Sequence, residues 1–144
     1  KNLKSEHDRL LKKKQQIEQE LEKERRQKRR EENERIYAKK IAPFIGIEIS
    51  KKDFCLSLID SVAEFEEEGK ALNHCVYSSE YYLKSDSLVF SAKKNGQRLE
   101  TVEVHLPDMK VIQSRGNHNQ ASKYHNDILA IMNTSGLQAI AKRL

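Results

Sequence analysis

Apolar residues are sparse over the first forty positions, and four of them, Leu3, Leu10, Ile17 and Leu21, have a spacing of seven, seven and four that marks one seam of a helix. Lys14 interrupts that seam and Glu24 and Lys28 continue it, so it fades where "KERRQKRREENER" begins. No Gly or Pro breaks residues 1–40, and Lys, Arg, Glu and Gln are strong helix formers. The pattern predicts one long helix with a weak coiled-coil seam, ended near residue 41 by Pro43. A helix of this kind, with so little apolar surface, is expected to gain its full stability from a partner helix.

Beyond Pro43 the period changes. "FIGIEISKKDFCLSLI" reads as two strands around a polar turn at residues 50–53, a hairpin. Ser61 followed three residues on by Glu64 is a capping-box signature, and Val62, Phe65, Gly69, Leu72 and Val76, spaced 3, 4, 3 and 4, form one helical stripe. Residues 87–115 read as a three-stranded meander, "SLVFSA", "LETVEVHL" and "MKVIQSR", turning at Asn95-Gly96 and Pro107-Asp108. A two-residue Asn-Gly loop alone would set Phe90 opposite Thr101 and Leu88 opposite Glu103. A three-residue loop, 94–96, with Gly96 left-handed, pairs Leu88 with Val102 and keeps Leu88, Phe90, Val102, Val104 and Leu106 on one buried face, so the bulged loop is the predicted one. The last segment, "ASKYHNDILAIMNTSGLQAIAKRL", predicts a helix with Tyr124, Ile128 and Ile131 on one side, an interruption near residues 134–136, and a short helix carrying Leu137, Ile140 and Leu144. The fold class is therefore α+β: a small antiparallel meander with a hairpin, packed on one or two helices and preceded by a long helix, with domains at 1–42 and 43–144.

Charge separates the same two parts. Residues 1–40 hold 15 Lys/Arg against 9 Asp/Glu, leaving 12 against 13 for the remainder, so the net +5 resides in the first segment. Arg25, Arg26, Lys28, Arg29 and Arg30 suit nucleic-acid phosphates, with an affinity that would fall steeply with salt, and they equally suit a solvated face whose interleaved glutamates neutralise them. The two cysteines, Cys55 and Cys75, follow no metal-ligand or multi-bridge spacing, and no signal peptide or apolar span is visible. A cytoplasmic protein without membrane attachment is expected, and a start at Lys1 rather than Met suggests a piece of something longer.

The chemistry-bearing residues cluster in two places. His74-Cys75 lies at the end of the predicted helix, where on an ideal helix His74 points nearly opposite the apolar stripe and Cys75 about 90° from it, so the two cannot form a hydrogen-bonded dyad unless the helix ends first. A packed cysteine beside a surface or capping histidine accounts for the pair as well. On the meander, removing the apolar positions to one face leaves Thr101, Glu103 and His105 on the other, and Gln113 and Arg115, which share a parity in the third strand, are candidates to join them. This is a polar face able to hold a phosphate or a reacting group, or else a solvated side of the sheet. "QSRGNHNQ" suits a turn, and also an anion-binding loop leading into a helix N-terminus beside Arg115. His105, His118 and His125 lack the regular spacing of a metal site, and no metal or other cofactor is expected.

Taken together, "EEGKALNHCV", "TVEV" and "QSRGNHN" resemble the PcfJ-like family, proteins encoded with conjugative plasmids and related mobile elements. The likeness runs from about Phe54 to Asn119, outside the basic arm, and covers Glu68, Gly69, Leu72, His74, Cys75, Val76, Thr101, Glu103, Gln113, Arg115, Gly116 and Asn119. Tyr77 stands where the family pattern has a small residue. The resemblance implies an accessory role in DNA transfer, with no reaction attached to it. The expected site residues are His74, Cys75 and Glu103 as candidates for catalysis and Thr101, His105, Gln113, Arg115 and Asn119 for binding. The alternative is an enzyme with Cys75 as nucleophile and a histidine base, acting on a nucleotide, nucleic acid or protein. Expected partners are nucleic acid, transfer proteins of the mobile element, or a second copy through the N-terminal helix.

Overall fold

The computed structural model describes residues 3–74 and 81–144; Cys75, Val76 and Tyr77 lie outside the described residues. Helix α1 runs Leu3–Ile41, and a 3-10 turn, Ala42–Phe44, with Pro43 in it, stops it as predicted. Two compact units divide the chain, Lys1–Asn33 and Glu34–Leu144. In the first, Leu3, Leu10, Ile17 and Leu21 are exposed, and the charges pair along the helix, Glu6 with Arg9 at 2.6 Å and Glu22 with Arg26 at 3.5 Å. Such pairs at helical spacing each contribute a few tenths of a kcal/mol, about 0.2–0.5.

The second unit takes in the last turns of α1. Tyr37 and Ile41 are fully buried, the Tyr37 ring meets Phe65 edge-on at 5.4 Å, and its hydroxyl donates to the Ile59 carbonyl. Glu34 accepts from the backbone N–H of Val62 at 2.7 Å and of Ala63 at 3.1 Å, while Ser61 Oγ accepts from Glu64 N–H at 3.1 Å. Together these two side chains satisfy the orphan donors at the start of helix α2, Val62–Leu72. Pro43 marks where the helix ends, yet the core begins at Glu34, because the helix brings its own buried face into the core before it stops.

The sheet has five antiparallel strands in the order β1 (Glu48–Lys51), β2 (Phe54–Leu58), β3 (Ser87–Lys94), β4 (Gln97–His105), β5 (Lys110–Gly116). Its hairpin and meander are those read from the sequence, but the β3–β4 register is not. Lys94 pairs with Gln97 across a two-residue turn in which Asn95 and Gly96 both have positive φ, the geometry that Asn-Gly favours. The extra residue sits further along, where Ala92 pairs with Glu100 and Lys93 with Arg98, leaving Leu99 as a bulge. Leu88 therefore faces Val104 and not Val102. Both arrangements share a parity, so the apolar face survives; what changes is Arg98, which the bulge turns to the opposite face. A second bulge at Ile112 lets Gln113 pair with Glu103 and Arg115 with Thr101.

One face of the sheet carries Phe54, Leu56, Leu58, Leu88, Phe90, Ala92, Val102 and Val104, all buried, in a cluster that Ile128, Met132 and Ile140 complete. These three come from helix α3 (His125–Ile131), a π-helical turn (Met132–Gly136) and helix α4 (Leu137–Ala141), the π turn being the predicted interruption. Leu106 is only partly buried, and Leu144 is exposed. The opposite face, read from sequence as polar, is covered by α2: Ser91, Thr101 and Glu103 are all buried there.

Removal of residues 1–33 is expected to leave a cooperative thermal melt, whereas removal of residues 1–41, which takes Glu34, Tyr37 and Ile41 from the core, abolishes it or lowers stability by at least the ~3–5 kcal/mol of one large buried side chain. Equal melts for the two truncations would contradict this placement of the core.

Candidate functional site

Within the buried stripe of α2, between Phe65 and Gly69, stands Glu68, wholly inaccessible to solvent. A buried carboxylate is tolerated only where donors surround it. Glu68 Oε1 accepts from Ser91 Oγ at 2.7 Å and forms an ion pair with Arg98, and its Oε2 accepts from Thr101 Oγ1 at 2.5 Å. Arg98 reaches it because the Leu99 bulge has turned that side chain onto the α2 face.

Helix α2 ends at Leu72. Asn73 adopts the left-handed conformation, φ 50° and ψ 46°, and the N–H groups of both Asn73 and His74 return to the Gly69 carbonyl. This is a helix stop that Asn supports second only to Gly. The projection of His74 on a continuing helix therefore fails: the chain has already turned, and His74 Nε2 lies 2.8 Å from Thr101 Oγ1. Asn73 also donates to Asn117 Oδ1 at 3.1 Å, tying this turn to the loop after β5.

Proton accounting fixes the histidine. The Glu68 carboxylate only accepts, so the single hydroxyl proton of Thr101 goes to it, and Thr101 Oγ1 must accept from His74 Nε2–H. Burial pushes the His74 pKa down and so favours the neutral ring, against the Glu68 charge and a contact with the residue's own backbone, both of which raise it. Nδ1 is then a bare acceptor; it is buried and has no hydrogen-bond partner among the described residues.

Beside this relay, Glu103 is nearly inaccessible and accepts from Lys84 Nζ at 3.2 Å and Gln113 Nε2 at 2.9 Å. Gln113 Nε2 also donates to the Tyr81 hydroxyl at 3.2 Å, and Lys84 Nζ sits 4.2 Å from the centre of the Tyr81 ring. The cleft between these groups, ≈ 450 Å³ including its open mouth, is lined by His74, Tyr81, Val89, Thr101, Glu103, Gln113, Arg115 and Asn119. Arg115 is exposed and makes no hydrogen bond or ion pair among the described residues.

Of the residues expected from sequence, six meet in this cleft: His74, Thr101, Glu103, Gln113, Arg115 and Asn119. Cys75 lies outside the described residues. His105 is elsewhere, held between Asp108 at 2.9 Å and Asp86 at 3.1 Å; the Asp108 hydrogen bond, then that of Asp86, raises its pKa. The loop after β5 leads into a 3-10 turn, Asn117–Asn119, and not straight into an α-helix: Gly116 N–H donates to the Gln120 carbonyl at 2.7 Å, and α3 begins only at His125. A Cβ on Gly116 would come within 2.6 Å of the Leu99 carbonyl, which is why glycine stands there. No group of three or more metal-ligating side chains occurs among the described residues.

Sequence reasoning missed Arg98, Lys84 and Tyr81, and took Glu68 only as part of a resemblance. Glu68 did carry a signal, a glutamate three residues after Phe65 inside the apolar stripe. Arg98 carried none, since its side of the sheet depends on the bulge. A third buried carboxylate, Glu100, binds Ser114 Oγ, Ser122 Oγ and His125 Nδ1 at 2.5, 2.6 and 2.8 Å on the opposite face, and fastens the segment before α3 to the sheet.

The family model described as PcfJ-like protein matches residues 1–129, a span that takes in the N-terminal helix which the sequence motifs alone had left out. No curated protein and no solved structure matches the chain.

The two histidines should titrate in opposite senses. Folding favours the neutral form of His74, so its contribution is intact above about pH 6.5 and is lost as pH falls through the unfolded value toward the lowered folded one. Folding favours charged His105, so its contribution is full below about 6.5 and lost as pH rises through the raised folded value. Ring-proton NMR titration should give a midpoint below the ordinary histidine value for His74 and above it for His105; the reverse order would contradict the assignment.

Proposed function

Because the chain belongs to the PcfJ-like family, we propose that it serves the DNA transfer of conjugative or related mobile elements as an accessory recognition module, with the cleft between His74 and Arg115 as its reading site. The observation that carries this is the condition of the cleft: its buried polar groups are already bonded to one another through Glu68, Thr101, Glu103 and Gln113, while Arg115 stands without a partner among the described residues. A site held in advance in this way loses little entropy when a ligand settles. The role in transfer comes from the family resemblance, and the cleft supplies the means of recognition. The basic helix would then serve contacts with nucleic acid, with transfer proteins or with a second copy. No described helix is long and apolar enough to cross a membrane, which suits a place in the cytoplasm.

A second reading, an enzyme with Cys75 as nucleophile, draws on one observation. His74, its neighbour in sequence, is held neutral-leaning with Nδ1 unpartnered among the described residues, as a general base would be.

Complementation of a transfer-deficient element separates the two. Under the recognition reading, Arg115→Ala lowers transfer frequency by about tenfold or more, the loss expected of one charge-assisted hydrogen bond, and Cys75→Ser transfers normally. If Cys75→Ser abolishes transfer while the protein stays folded, the enzyme reading replaces it. Normal transfer with both variants would remove the cleft from transfer altogether.

A further inference from the structure

We propose that the cleft takes an oxyanion, phosphate or carboxylate, that carries an O–H or N–H donor of its own, with Arg115 receiving the anion and His74 Nδ1 accepting the donor's hydrogen bond. The proposal rests on the cleft being the ligand site and adds the chemistry of what enters it.

The first argument is charge matching on the α2 face of the sheet. Glu68 has Arg98 as its cation, and Glu103 has Lys84. Arg115, at the cleft and opposite Thr101 in the strand pairing, is a guanidinium on that face without a partner among the described residues. A guanidinium so placed presents paired N–H donors that suit the two oxygens of a carboxylate or phosphate.

The second argument is independent of charge. The relay from Glu68 through Thr101 consumes the Nε2 proton of His74, so Nδ1 can only accept. A buried acceptor without a partner costs stability unless something fills it, and no group among the described residues does. An anion alone would be repelled by that lone pair. A ligand satisfies both ends only if a donor lies beside its negative charge. Directly opposed residues on neighbouring strands lie roughly 5 Å apart at Cα. Thr101, which sets the histidine, and Arg115, which holds the anion, are such a pair, and His74 and Arg115 line the same cleft. Thr101 is a positioning residue here, acting on the ligand through His74.

The test is NMR titration of the isotope-labelled full chain with three probes: adenosine 5′-monophosphate, a phosphate bearing hydroxyls; N-acetylglycine, a carboxylate bearing one N–H; and acetate, a carboxylate with no donor. At least one of the first two should give saturable shifts of the Arg115 side chain and the His74 ring, and which one does so separates phosphate from carboxylate. Acetate should bind more weakly than N-acetylglycine. Arg115→Ala, at an exposed position, should weaken binding about tenfold or more. Thr101→Val should weaken it too, and Thr101→Ser, which keeps the hydroxyl, should restore it. The proposal is overturned if neither donor-bearing probe saturates below about 10 mM, a concentration at which even weak ligands register. It is also overturned if Arg115→Ala binds undiminished, or if N-acetylglycine saturates and acetate binds as tightly. Binding of a donor-bearing anion together with normal transfer by Arg115→Ala would remove the transfer reading and leave this one standing; loss of transfer without any binding would do the opposite.

Discussion

The arrangement of this domain depends on one buried charge. Glu68 is carried into the core by the helix that also carries Phe65 and Leu72, and nothing on that helix can neutralise it. Its partners must come from the sheet: Ser91 from β3, Arg98 and Thr101 from β4. A buried carboxylate stripped of its partner costs roughly 3–5 kcal/mol, a large part of what a domain of this size has to spare. The demand is therefore directional as well as energetic. An apolar stripe would let α2 slide or rotate over the sheet, whereas Glu68 is satisfied in one seating.

That seating has consequences at a distance from the charge. Arg98 can meet Glu68 only because Leu99 bulges out of β4, and Gln113 and Arg115 share a face with Glu103 and Thr101 only because Ile112 bulges out of β5. Bulges re-aim side chains without breaking the sheet. Here two of them gather onto one face the residues that strict alternation would have divided between two. With α2 fixed over that face, the left-handed Asn73 turns the chain back and delivers His74 to Thr101. The same hydroxyl that answers Glu68 thereby orients the histidine, and core and cleft meet in a single oxygen atom.

The sequence was legible where one period governed one element. The long helix, the capped stripe beginning at Ser61, the hairpin and the meander are all read from spacing and turn residues, and parity groups Thr101 with Glu103 and Gln113 with Arg115, while the Ile112 bulge that puts both pairs on one face is not visible in the sequence. Legibility failed where a single residue changed the count. Asn95-Gly96 does make the two-residue turn that its composition favours, and the compensating extra residue is Leu99, whose type gives no sign of it. The three-residue loop preserved the same faces by a different device, so it recovered the core and lost Arg98. His74 is misplaced by the sequence for a similar reason: Asn73 is the helix stop, but the apolar spacing continues to Val76. His105 shares the parity of Thr101 and Glu103, yet it lies near the end of β4, where Asp86 and Asp108 engage it instead.

The central claim is that Glu68, acting through Thr101, holds His74 as the neutral tautomer with its proton on Nε2. Long-range nitrogen–proton correlation on the histidine ring reads this directly, because protonated and bare ring nitrogens resonate far apart. At pH values above the His74 midpoint, the account predicts a protonated Nε2 and a bare Nδ1 in the unmodified protein, with that preference lost in Thr101→Val. A proton on Nδ1, or a preference unchanged when the Thr101 hydroxyl is removed, would contradict it.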